Sequence, residues 1–170
     1  MRRNSRSFFK YFGFALLLVL MTVLQATPKL LPEPMGSKPF LLLALALAVN
    51  AREEFIPSVV FASLCGVFAD LNAGGCVGYF AVTLTLSCAA VHYVTRTYLN
   101  NTFFTFIVTS AAAVAAVLGL YFVIFRIASG EGTGGMFVSR YLPRMALTLL
   151  SAVPLYFAAA FLHNTLTASR

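Results

Sequence analysis

Charge is what this chain has least of. Of its 170 residues only 17 are charged, 12 Lys or Arg and 5 Asp or Glu, against 60% hydrophobic residues. A soluble domain carries about 25% charged residues to cover its surface. Too few are present to wrap a water-soluble body of this length, so the solvent is lipid. That excludes a cytosolic enzyme, a secreted disulfide scaffold and a disordered tail. Cysteine is also scarce. Cys65, Cys76 and Cys88 form no CxxC pair and their number is odd, which argues against a disulfide framework or zinc site and for small buried thiols. His92 and His163 lie near span ends with no carboxylate in sequence reach, and read as interfacial side chains. GxSxG, HExxH, Walker A and Rossmann patterns are missing. The net charge of +7 comes with no basic stripe of interleaved aromatics, which excludes a nucleic-acid face.

What is present is a series of long uncharged runs. Tyr11–Pro28, Leu71–Thr95, Thr97–Phe125 and Met145–Ser169 each reach or exceed the roughly 17–25 residues that carry a helix across about 30 Å of hydrocarbon. Pro39–Ala51 and Phe55–Ala69 are shorter and flank Arg52-Glu53-Glu54. Each charge at the bilayer centre costs about 2.5–3.5 kcal/mol, so these two runs read as a hairpin of short helices with the charges in water. The expectation is an all-α membrane protein, a compact bundle of six transmembrane helices over Phe9–Ala26, Lys38–Ala51, Glu54–Leu71, Gly75–Tyr93, Thr102–Ile127 and Tyr141–His163, within one integral membrane domain, 1–170. Five spans result if Pro39–Ala51 lies in the membrane without crossing.

Turn residues agree with these limits. Pro28, Pro32, Pro34, Gly36 and Pro39 fill the first connection, Asn72 to Gly75 makes a tight turn, and Gly-rich residues 129–135 form a polar loop. Pro154 falls inside the final span, where lipid-embedded helices tolerate it. The basic start, Arg2, Arg3, Arg6 and Lys10, placed in the cytoplasm gives seven cations inside, with Arg52, Arg96 and Arg170, against five outside, Lys29, Lys38, Arg126, Arg140 and Arg144. Both termini are therefore expected to be cytoplasmic. The apolar run after the basic start is longer than a signal core of about 7–15 residues and reads as an uncleaved anchor.

Four of the five carboxylates fall in loops, leaving Asp70 at the end of a span. It either grips a partner or neighbouring helix, or joins Asn72 in capping the helix that follows. Gly66 precedes it by four residues, and Gly74 and Gly78 form GxxxG. With Ala62–Gly66, Ala111–Ala115 and Ala115–Gly119, such spacing lets helix backbones approach closely in lipid. Arg140 and Arg144 share one helical face, as partner contacts or as anchors to phosphates.

The stretch Gly66-Val-Phe-Ala-Asp70-Leu-Asn-Ala-Gly74-Gly-Cys-Val-Gly78-Tyr79 resembles the central signature of the MreD family of bacterial rod shape-determining membrane proteins. Pro39-Phe-Leu-Leu-Leu-Ala-Leu-Ala-Leu-Ala and the charged turn Arg52–Glu54 also match that family's pattern, and the likeness extends over nearly the whole chain. The resemblance implies a non-enzymatic role without cofactors, in the elongation machinery of the inner membrane. Implied partners are an MreC-like bitopic protein, MreB filaments, and cell-wall synthases such as RodA and a class B penicillin-binding protein. Gly66, Asp70, Gly74, Gly78, Tyr79, Arg140 and Arg144 are the partner or helix-packing candidates. The outline is also similar to substrate-binding subunits of energy-coupling-factor vitamin transporters. Those often carry Ala-x-x-x-Ala in the first helix, and Phe9–Ala26 has only Ala15 and Ala26.

Overall fold

The computed structural model describes residues 2–27, 39–73, 78–98, 103–124 and 141–167, with backbone alone for 2–10, 98, 103 and 162–167. The described residues form six helices and no strand: α1 Arg2–Ala26, α2 Leu41–Asn50, α3 Phe55–Ala73, α4 Tyr79–Tyr98, α5 Phe103–Phe122 and α6 Leu142–Thr167. Helices are the expected solution in lipid, because each satisfies its own backbone without water. The chain is an all-α membrane protein. Phe55–Ala73, Phe104–Phe122 and Leu142–Phe161 are long and apolar enough to cross a bilayer, and Tyr11–Ala26 and Leu41–Asn50 are shorter apolar helices. α4 is less apolar, and two of its hydroxyls are satisfied within the helix. Thr83 Oγ1 donates to the Tyr79 carbonyl at 2.7 Å and Thr85 Oγ1 to that of Ala81 at 2.6 Å.

The helices alternate in direction, as cross-helix contacts show. The end of α1 meets the start of α2 through Gln25 and Leu42. The end of α3 meets the start of α4 through Asp70 and Phe80. The start of α5 lies by the far part of α6 through Phe106 and Tyr156, whose ring centroids are 4.5 Å apart. The end of α5 meets the start of α6 through Phe122 and Tyr141, 5.0 Å apart. One end of the bundle thus gathers the starts of α2, α4 and α6, and the other gathers their ends.

The surface is apolar and the centre is one short helix. Ile56 is 73% exposed and Phe104 72%, as lipid-facing side chains are, whereas every residue of α2 from Leu41 to Asn50 is buried. A helix apolar on all sides buries all of them. Leu-Leu-Leu-Ala-Leu-Ala-Leu-Ala-Val offers no polar face, so α1, α3, α4, α5 and α6 all pack against it. Its ten residues rise only about 15 Å, half a bilayer core. The expected short span at Lys38–Ala51 is therefore a core helix without its own lipid face; Lys38 lies outside the described residues.

A buried helix start needs partners for its free N–H groups. α2 finds them on its neighbours. The Phe40 N–H donates to Thr148 Oγ1 at 3.0 Å, and the Leu42 N–H to Gln25 Oε1 at 3.2 Å. Thr148 in turn donates to the Arg144 carbonyl at 2.7 Å, which fixes its hydroxyl. Replacing Thr148 by Val keeps the shape and leaves the Phe40 N–H without an acceptor. Thr148→Val is expected to destabilise the bundle by about 1–3 kcal/mol in mixed-micelle denaturation, and Thr148→Ser to restore most of it.

The charged turn departs from the expectation that all three of its charges stand in water. Glu53 is buried, at 4% exposure, and only Glu54 is exposed. Arg52 lies across the Tyr156 ring with Cζ 4.5 Å from its centroid. The cause is the tightness of the turn: the Arg52 and Glu53 N–H groups both bond back to the Val49 carbonyl at 3.0 Å, folding the pair under the end of α2.

Candidate functional site

The residues of the Gly66–Tyr79 stretch meet where α3 ends and α4 begins. Asp70 is 4% exposed. Its Oδ2 accepts from the Gly78 N–H at 2.9 Å and the Ala81 N–H at 3.1 Å, and its Oδ1 accepts from the Phe80 N–H at 2.9 Å. Because the Val82 N–H bonds to the Gly78 carbonyl at 3.0 Å, Gly78 stands at the N-cap of α4. Asp70 therefore supplies the cap from the preceding helix. Its negative charge also sits on the positive end of the α4 dipole, where a carboxylate is favoured. Asn72 takes no part: its Nδ2 donates to the Phe68 carbonyl of its own helix at 3.1 Å.

Gly66 makes this reach possible. It lies one helical turn below Asp70 on the same face. A Cβ built on it would lie 2.4 Å from Ala81 Cα, 2.6 Å from the Phe80 oxygen and 2.7 Å from the Ala81 nitrogen, all backbone atoms. The first turn of α4 thus rests directly on Gly66, at the height that brings its N–H groups to Asp70. Gly78 acts differently. Its φ is +102°, a conformation L side chains rarely adopt, and no atom lies within 4 Å of where a Cβ would stand. The Gly74/Gly78 pair was expected to pack helices; Gly78 instead turns the chain into α4, and Gly74 lies outside the described residues. The Ala115–Gly119 pair also departs from expectation, since Ala115 is exposed and the space beside Gly119 is open.

Tyr79 and Arg144 extend the same end. The Tyr79 hydroxyl donates to the Val117 carbonyl of α5 at 3.3 Å. Phe80 stacks on Tyr121 at 5.5 Å and tilts against Phe40 at 4.9 Å. Arg144 lies over the Phe40 ring, Cζ 5.5 Å from its centroid. A cavity of about 290 Å³ opens beside Phe40, Phe80 and Arg144. Arg140 lies outside the described residues.

Sequence reasoning passed over a second polar group, at the other end of the bundle. Asn50 Nδ2 donates to the Cys88 carbonyl at 3.1 Å, its Oδ1 accepts from Ser58 Oγ, and His92 Nδ1 lies 3.2 Å from the same oxygen. His92 packs edge-on to Phe55, which ties it to the start of α3. The available signal was Asn50 itself, a polar side chain closing an otherwise apolar helix. Cys65 and Cys88 are free and buried.

Fold and site together define a polytopic membrane protein organised around a buried short helix and a side-chain cap passed between consecutive helices. Residues 5–165 match the model of the family described as rod shape-determining protein MreD, and the chain belongs to that family. Its role accordingly lies in the determination of rod shape, with the shape-determining machinery of the membrane. No curated protein and no solved structure matches it.

Proposed function

We propose that the chain, as a single integral membrane domain, is a non-enzymatic scaffold of the cell-elongation complex in the bacterial inner membrane. It joins an MreC-like bitopic protein and, directly or through it, MreB filaments to cell-wall synthases of the RodA and class B penicillin-binding protein types. The observation that carries this reading is the family match across residues 5–165. The chemistry of the described residues supports it. Asp70, the carboxylate inside a span, has both oxygens engaged by backbone N–H groups and serves structure. The alternation of six helices returns α6 to the end where α1 begins, which supports two termini on one side of the membrane. The basic start supports the cytoplasm as that side.

Gly66, Asp70, Gly78 and Tyr79 contribute by fixing how α3, α4 and α5 meet, and hence the surface offered to partners. Depleting the protein is expected to turn rod-shaped host cells round, with shape restored by the wild-type chain, scored by microscopy. Cells that keep their shape and lose uptake of a vitamin would replace this reading with that of a transporter subunit.

A further inference from the structure

The cavity of about 290 Å³ between the ends of α1 and α3 and the starts of α2, α4 and α6 has a composition unlike the rest of the bundle. Arg144, Gln25 and Asn72 line it together with Phe40, Phe80 and Ala73. Its volume is at the lower limit of small-molecule sites, about 300 Å³, and suits a headgroup-sized ligand.

Arg144 is the group that demands a partner. Its Nε is buried and has no hydrogen-bond partner, and no carboxylate pairs with the guanidinium among the described residues. Asp70, the acid at this end among the described residues, is held by three backbone N–H groups at the start of α4. The face of Phe40 offsets part of the cost of a half-buried cation, but an aromatic ring accepts no hydrogen bonds from the guanidinium fork. The amides are partly unused as well. Gln25 gives its oxygen to the Leu42 N–H, leaving its NH2 without a protein partner among the described residues. The surrounding field has the same sign, since α2 and α6 begin at this end with no acidic residue in their first turns, while Asp70 already meets the start of α4. A half-buried donor fork whose Nε is buried and unpartnered, a free amide NH2 and positive helix ends converge on an anion with several acceptor oxygens. The planar guanidinium matches phosphate through two parallel hydrogen bonds.

We propose that this cavity binds a phosphate group, with Arg144 as its principal donor, Gln25 as a second donor, and Phe40 and Phe80 against the apolar part of the molecule that carries it. At the membrane surface the abundant source of that chemistry is the headgroup of an anionic phospholipid.

The test uses the full chain in neutral maltoside micelles, with helix unfolding on heating followed by circular dichroism. Three probes are titrated: dihexanoylphosphatidylglycerol, dihexanoylglycerol with the same acyl chains and no phosphate, and sodium phosphate at constant ionic strength. A site-bound phosphate raises the unfolding midpoint saturably by mass action. The phosphatidylglycerol is expected to do so and the dihexanoylglycerol is not. Arg144→Gln should raise the half-saturating concentration about tenfold or more. Ala73→Leu, which fills the cavity wall and keeps Arg144, should weaken it too, and Arg96→Gln at the opposite end should not. A shift from sodium phosphate as large as from the lipid would make free phosphate the source, and a shift from the lipid alone makes it the headgroup. Equal stabilisation by dihexanoylglycerol, or an unchanged half-saturating concentration in both Arg144→Gln and Ala73→Leu, overturns the proposal. If Arg144→Gln does not fold, Ala73→Leu and the phosphate-free lipid decide it.

Discussion

Asp70→Asn is expected to destabilise the bundle almost as severely as Asp70→Ala, by about 3 kcal/mol or more, although it changes neither size nor shape. The carboxylate accepts through both oxygens, Oδ1 from Phe80 and Oδ2 from Gly78 and Ala81. An amide has one acceptor atom. Whichever way the Asn side chain turns, its NH2 faces an N–H group, and at least one buried donor loses its bond. An ordinary exposed cap is worth about 0.5–2 kcal/mol. Here the acceptor is charged and 4% exposed, and leaving a buried donor unsatisfied costs about 1–3 kcal/mol each. Mixed-micelle denaturation followed by circular dichroism measures the loss directly. An Asn variant as stable as wild type would mean that the three N–H groups have another acceptor. The same result sets how a partner assay is to be read: an Asp70→Asn chain that recovers less MreC-like partner at unchanged expression and unchanged stability would point to direct contact, whereas loss of both points to the α3–α4 junction.

The second large effect belongs to Gly66→Ala. One methyl group, harmless at most lipid-facing positions, meets three backbone atoms of α4 within 2.4–2.7 Å. Backbone cannot rotate aside as a side chain does, so the helices must separate. Overpacking typically costs about 1–3 kcal/mol, and this site lies at or above the top of that range. Separation also draws the Phe80 and Ala81 N–H groups away from Asp70, so the two residues are coupled. A double-mutant cycle of Gly66→Ala with Asp70→Asn is expected to give a combined loss smaller than the sum of the single losses, because the first substitution already breaks what the second removes. Strict additivity would show that the close approach and the cap are independent.

Much of this junction was legible before the fold was known. A glycine four residues ahead of an aspartate places both on one helix face, and an acid just before a turn is a natural acceptor for the next helix. The spacing could not tell Gly78 from Gly66. Both look like small residues for close packing, yet one is required by a backbone angle and the other by a neighbour's backbone, and only coordinates separate the two. Whether α2 crosses the bilayer or sits inside the bundle stayed open for a related reason. Length arithmetic treats every apolar run as a candidate span, and a run apolar on all sides carries no mark of what surrounds it. Its caps were out of reach altogether, since Gln25 and Thr148 are unremarkable polar residues until the fold brings them to the start of α2. The family resemblance, carried mainly by the Gly66–Tyr79 stretch and the leucine-rich run, held across residues 5–165.

The long-range cap on α2 has a consequence for how the molecule is made. Phe40 and Thr148 are 108 positions apart. At about 5–20 residues per second, the ribosome delivers the acceptor roughly 5–20 s after the donor. Throughout that interval the central helix has one flank open and one N–H without its native acceptor. The nascent chain is therefore a client for whatever shields unfinished helices in the bilayer, and arrival of α6 closes that dependence.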